Sequence, residues 1–190
     1  MAKYSTGKIV LWVVIAVLVL SVIWVVGTYN SLVSLQASVD EKWANVETQY
    51  QRRMDLIPNL VSTVKGYAAH EEKLFTQITA LRSQWQASTS VNEKVGIAQQ
   101  VDSAISRLLV VVESYPDLKA SQNFLSLQDE LAGTENRVSV ERTRFNAAVK
   151  DYNVKTRKFP ANIIAGMFGF SEQKSFEAQQ GAEKAPEVKF

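Results

Sequence analysis

The sequence has no cysteine. That excludes a disulfide framework, a cysteine-ligated zinc site and a thiol nucleophile, and it leaves the redox compartment open. A single histidine, His70, excludes multi-histidine metal sites and leaves little for acid–base chemistry. Four prolines and eight glycines are few turn formers for an all-β chain of 190 residues. Charge of one sign is lacking too. With 21 basic residues against 19 acidic ones, the net charge of +2 gives no global case for nucleic acid. What is there instead is 46 % hydrophobic residues, too apolar for a disordered chain. Composition points to a mostly helical, non-enzymatic protein, with no cofactor, no metal, no nucleic-acid partner and no small-molecule substrate.

Ile9 to Val26 read IVLWVVIAVLVLSVIWVV, with Ser21 the one polar residue. A helix of that length rises roughly 27 Å, enough for a bilayer core of about 30 Å with its flanks. Trp12 and Trp24 lie near the two ends, where indoles settle at the interface. A cleaved signal peptide would have a shorter core followed by a small-x-small site. GTYNSLVSL follows instead, so a retained anchor over 9–27 is expected. Lys3 and Lys8 precede it, whereas Lys42 is the one basic residue between Gly27 and Gln51, beside Asp40, Glu41 and Glu47. The positive-inside rule then keeps the short tail of residues 1–8 in the cytoplasm and exports the rest.

From residue 30 to residue 157 the pattern is helical. Leu32, Leu35, Val39, Trp43, Val46 and Tyr50 recur at three- and four-residue steps. Further stripes run from Ile57 through Val64 and Phe75 to Trp85, from Val91 to Val112, and from Phe124 to Tyr152. Such amphipathic helices need one another to bury a face. Ala87–Ser90 is a polar connection in which Ser90 can N-cap the next helix, with Glu93 reaching back. Pro116 disfavours helix at Tyr115 and stops the third segment. At Pro58 the residues allow two readings. The apolar phase runs almost unbroken from Val46 to Val64, as in one kinked helix, yet Arg52 and Arg53 suit a helix end and Asp55 an N-cap. Segment lengths favour a split near Asp55, because an unsplit helix would be too long for the third segment to cover. The expected fold is all-α: one N-terminal transmembrane helix followed by an up-and-down four-helix bundle over 28–158.

In that topology the last helix returns to the membrane. Residues 137–158 carry seven basic and two acidic side chains, ending in Lys155, Arg157 and Lys158. An apolar run follows, with Phe159, Ile163, Ile164, Met167, Phe168 and Phe170. A basic helix and an aromatic-rich apolar segment make an interfacial composition, so these residues are candidate membrane contacts. Capping the open end of the bundle and binding a partner protein are the other readings of 159–170. Residues 171–190 are polar and are expected to form a disordered tail.

Chemistry has few places to hide. His70-Glu71-Glu72 lacks the further ligands a metal site needs. Glu71 and Glu141 fall on stripe positions, where a buried carboxylate must be paired or protonated. Arg82, Arg137 and Arg142 are candidate partners, and an ion pair fixing bundle register is the expected outcome. Tyr29-Asn30 and Tyr152-Asn153 are expected together at the membrane-proximal end, with a shared polar contact a possibility.

Several long strings resemble the LemA family. They are RRMDLIPNLVSTVKGYAAHE (52–71), DELAGTENRVSVERTRFNAAVKDYN (129–153) and FPANIIAGMFGF (159–170), together with YNSLV (29–33) and the leading apolar helix. The resemblance covers all but about the last dozen residues. It implies a single-pass protein of the bacterial inner membrane with a four-helix bundle, and some relatives of this kind belong to magnetosome membranes. It implies no catalytic residues. The positions it singles out are candidate interaction residues: Arg52, Arg53, Asp55, Pro58, Asn59, His70, Glu71, Glu135, Asn136, Arg137, Asn146, Tyr152 and Asn153. The expected role is a scaffold or interaction module whose partner is an envelope protein or a second copy. The alternative is a lipid-binding protein acting through the basic helix and the 159–170 segment.

Overall fold

The computed structural model describes residues 6–68 and 70–177. Among these residues the structure is all-helical: α1 (Thr6–Lys65), α2 (Glu72–Ala87), α3 (Val91–Val112), α4 (Pro116–Lys119), α5 (Gln122–Arg157) and α6 (Ala161–Phe168). It forms two compact units. One comprises the residues up to Asp40 with Ala148–Gln173, and the other comprises Glu41–Ala147 with the residues from Lys174 on.

In the first unit, α1 opens with the apolar run. Every large hydrophobic side chain from Ile9 to Trp24 is exposed, Trp12 by 69 %. By length and composition this stretch can cross a membrane. Ser21 returns its hydroxyl to the Val17 carbonyl at 2.8 Å, so the one polar side chain is satisfied within the helix. Immediately beyond the run, α6 packs on α1. Leu32, Ile164 and Ala165 are buried together, with Val25 and Phe170 against them. Tyr29 meets Phe168 and Phe170 edge-on, with ring centroids 4.9 and 5.7 Å apart. Gly169 makes this closure possible. Its φ of 77° is a left-handed cap that side chains resist, and the next residue's amide, Phe170 N–H, then reaches the Ala165 carbonyl at 2.9 Å.

In the second unit α1 ends at Lys65 and α2 starts at Glu72, so the helical run does not break near Asp55. The expected split at Asp55 is therefore corrected: α1 continues through Pro58. Two facts explain it. Tyr50, Met54, Ile57, Leu60 and Val64 are all buried on one face, which outweighs the roughly 3 kcal/mol cost of an interior proline. The Met54 carbonyl, which Pro58 cannot serve, accepts the Arg82 Nε–H at 3.2 Å. Arg82 thus bonds a backbone group rather than a carboxylate.

Three-residue and nine-residue connections join α2 to α3 and α3 to α5. Ser90 stands at the N-cap of α3 in extended conformation, as expected, but its side chain makes no capping bond. Glu93 accepts the Ser88 hydroxyl at 2.8 Å instead. Pro116 opens the one-turn α4 at its first position, behind a non-helical Tyr115 with φ −126° and ψ 84°. The core of this unit interleaves α1, α2, α3 and α5 through Trp43, Tyr50, Trp85, Leu108 and Phe145.

The segment expected to be a disordered tail begins differently. Residues 171–177 are non-helical, yet Phe176 is buried. The remainder, 178–190, and Lys3 with the start of the leading tail lie outside the described residues.

Candidate functional site

Asp102 sits on the inner face of α3, between Ala98 and Ile105 in the helical stripe. It is 6 % exposed and is the focus of a charged cluster in the second unit. Arg53 of α1 pairs with it through one guanidinium nitrogen and with Glu135 of α5 through another. Arg142 of α5 pairs with its second carboxylate oxygen. The Tyr50 hydroxyl donates to that same oxygen at 2.9 Å. Three helices are thereby tied at one carboxylate.

The electrostatics are those of charge held in a dry place. Three donors favour the carboxylate, but burial, and secondarily the Glu135 charge, push the Asp102 carboxyl up to about 8. Burial likewise lowers Arg142 to about 10. The Nε atoms of Arg53 and Arg142 are buried without a hydrogen-bond partner, as is Glu141 Oε2. Arg142 also lies over two rings, 5.3 Å from Tyr50 and 4.7 Å from Phe176. The cluster can hold helices in register. Among the described residues no three His, Cys, Asp or Glu side chains gather to hold a metal.

Of the residues singled out from sequence, Arg53 and Glu135 meet here. Arg142, considered as a carboxylate partner, does pair, but with Asp102 rather than with Glu71 or Glu141. Glu141 instead accepts from Arg144 at 2.6 Å. Arg52, Asp55, Asn59, His70, Asn136 and Arg137 are exposed and are not brought together, and Glu71 is half-buried. Asp55 accepts from Gln51 at 3.0 Å, one turn back on the same helix.

In the first unit the two Tyr-Asn pairs find different partners. Tyr152 is buried, and burial followed by the Asp40 charge raises its hydroxyl above the usual tyrosine range. Asn153 exchanges two bonds with the Gln173 backbone, at 2.8 and 3.0 Å. Arg157 forks onto Glu172, its Nε at 2.6 Å. Lys155 is half-buried and Lys158 exposed.

Sequence reasoning missed Asp102, Tyr50 as its donor, and Phe176. The signal for Asp102 was present: it is the acidic residue four steps after Ala98 and three before Ile105 in an otherwise apolar stripe. Phe176 offered only a lone aromatic in a polar stretch.

Comparison with known proteins adds the following. The profile of the LemA family matches residues 42–190. Magnetosome protein MamQ 2 of Paramagnetospirillum magneticum is 26 % identical over 189 residues, covering 84 % of this chain and 70 % of that protein. Magnetosome protein MamQ of Magnetospirillum gryphiswaldense is 26 % identical over 192 residues, covering 85 % and 71 %. Protein LemA of Metamycoplasma hominis is 24 % identical over 156 residues, covering 82 % and 71 %.

Proposed function

The chain belongs to the LemA family, and on that footing we propose that it is a single-pass, membrane-anchored interaction module of the bacterial envelope. In this reading α1 anchors it in the inner membrane, and α1, α2, α3 and α5 act as an up-and-down four-helix bundle. The bundle recruits an envelope protein or a second copy and catalyses nothing. The observation that carries the anchor is the exposure of every large apolar side chain from Ile9 to Trp24. So much contiguous apolar surface is compatible with lipid and not with water. The cluster at Asp102 supports a structural use of the charged residues, since Asp102 of α3 is 6 % exposed and is bonded by partners on α1 and α5. The magnetosome names of the MamQ relatives fit a role at membranes.

Topology is the first test. A cysteine at Ser88 is a unique handle in a chain that has none. On intact cells a membrane-impermeant maleimide should label it, because the positive-inside bias exports the bundle. Labelling that appears only after lysis would reverse the orientation.

A second reading, lipid contact through α6, is favoured by its exposed face. Packing on α1 buries Ile164 and Ala165, while Ile163, Met167 and Phe168 stay more than half exposed. Because the inner face of α6 rests on Val25 and Leu32, these residues lie at the level where the apolar run ends. The membrane interface accommodates such a helix.

A further inference from the structure

Residues 174–177 have no secondary structure of their own, yet they are held as a peptide ligand is held. The Asn146 side chain bonds both backbone groups of Phe176, donating Nδ2–H to its carbonyl and accepting its N–H on Oδ1, each at 2.9 Å. Asn92 Oδ1 accepts the Lys174 N–H at 2.8 Å. The Phe176 ring enters a box of aromatic walls. Tyr50 and Trp43 stack on it at 6.2 and 6.4 Å, with interplanar angles of 7° and 17°. Phe145 meets it edge-on at 5.8 Å, and the Arg142 guanidinium lies over it. Lys174, Ser175 and Glu177 point their side chains to solvent. Backbone bonds therefore supply affinity without regard to sequence, and one aromatic pocket supplies the selection.

We infer that Asn146, Asn92 and the Trp43–Tyr50–Phe145 box form a binding site for an extended peptide carrying a phenylalanine. In this structure the occupant is the chain's own Lys174–Glu177 segment. When that segment leaves, the occupant is the same segment of a second copy. The identical sequence fits the identical pocket, and exchange of an element already bound in cis is a low-cost route to association. Anchoring confines copies to one membrane and raises their effective concentration. The inference takes the interaction-module reading one step further by naming the partner. Failure of the test below leaves that reading standing with a different partner.

The test uses the full chain in detergent micelles and a fluorescent peptide of sequence SEQKSFEA, residues 171–178. Phe176→Ala empties the box. It should bind the peptide at least tenfold more tightly than the wild-type chain, whose own segment competes. Replacing the phenylalanine of the peptide by alanine should abolish binding, and adding Asn146→Leu to the protein should weaken it at least tenfold. Mixing differently labelled Phe176→Ala and Asn146→Leu chains, one with an empty pocket and the other with an unheld segment, should give energy transfer that neither gives alone. If Phe176→Ala lacks the wild-type circular dichroism, Phe176→Leu takes its place in both experiments. Equal peptide binding by wild type and variant, no binding by the variant, or no transfer on mixing would each overturn the proposal.

Discussion

Arg82 on α2 donates its Nε–H to the Met54 carbonyl on α1 at 3.2 Å, the carbonyl that Pro58 leaves without its helical partner. One residue thereby compensates for another on a different helix, and α1 passes through a proline without ending. Removing Arg82 strands that carbonyl, at a cost of about 1–3 kcal/mol for a buried unsatisfied group. Arg82→Leu should destabilise the full chain by that order, and Pro58→Ala, which restores the N–H, should remove most of the penalty. Urea unfolding of the four chains of the cycle in detergent measures the coupling. Equal costs in the two backgrounds would show that the bond contributes nothing.

Arg53 is 3 % exposed and serves two carboxylates at once. Above about pH 8, where Asp102 is ionised, breaking a buried pair by removing one partner costs about 3–5 kcal/mol, because the other charge stays behind. Arg53→Met should fall in that range. Arg53→Lys should not rescue it, since a point-like ammonium cannot span Asp102 and Glu135 as the planar fork does. Thermal unfolding followed by circular dichroism distinguishes the two. A lysine variant as stable as wild type would mean that charge alone suffices.

The Asp102 carboxyl, held at about 8 in the fold, titrates near about 3.9 when unfolded. Between those values the folded chain binds the extra proton. Stability is therefore full on the acid side and is lost as pH rises through the window. The urea midpoint should fall between about pH 5 and 8. Asp102→Asn, which mimics the protonated form, should flatten that dependence. A wild-type midpoint that climbs over the same range would reverse the sign and defeat the assignment.

Met167 is 73 % exposed on α6, at the level where the apolar run of α1 ends. A nitroxide on Met167→Cys in lipid vesicles should be relaxed more by oxygen, which concentrates in lipid, than by a water-soluble nickel chelate. The same label on Ser88→Cys should show the reverse. Matching accessibilities at the two sites would leave α6 in water.

The legible parts of this protein are those encoded over short spans. Eighteen residues from Ile9 to Val26 suffice to specify a membrane-length helix. The three- and four-residue recurrence of Trp43, Val46 and Tyr50 suffices to specify a buried helical face, and Pro116 a stop. Each of these follows from backbone hydrogen bonding and local periodicity. Arg53, Glu135 and Arg142 stood out as charged residues, but not the group that joins them. Asp102 lies 49 residues from Arg53 and 40 from Arg142, and nothing local says that three helices converge on it. Segment lengths argued for a split near Asp55, and the continuation through Pro58 was missed because it depends on Arg82, 28 residues from the Met54 carbonyl it serves. Phe176, in a stretch whose composition reads as disordered, is ordered by Asn146, 30 residues earlier. The sequence by itself thus determined that the chain is helical and where it can meet a membrane. The tertiary structure decided which polar groups are buried and with whom. A buried charge or an orphaned carbonyl is tolerable only beside its partner, and folding alone brings such partners together.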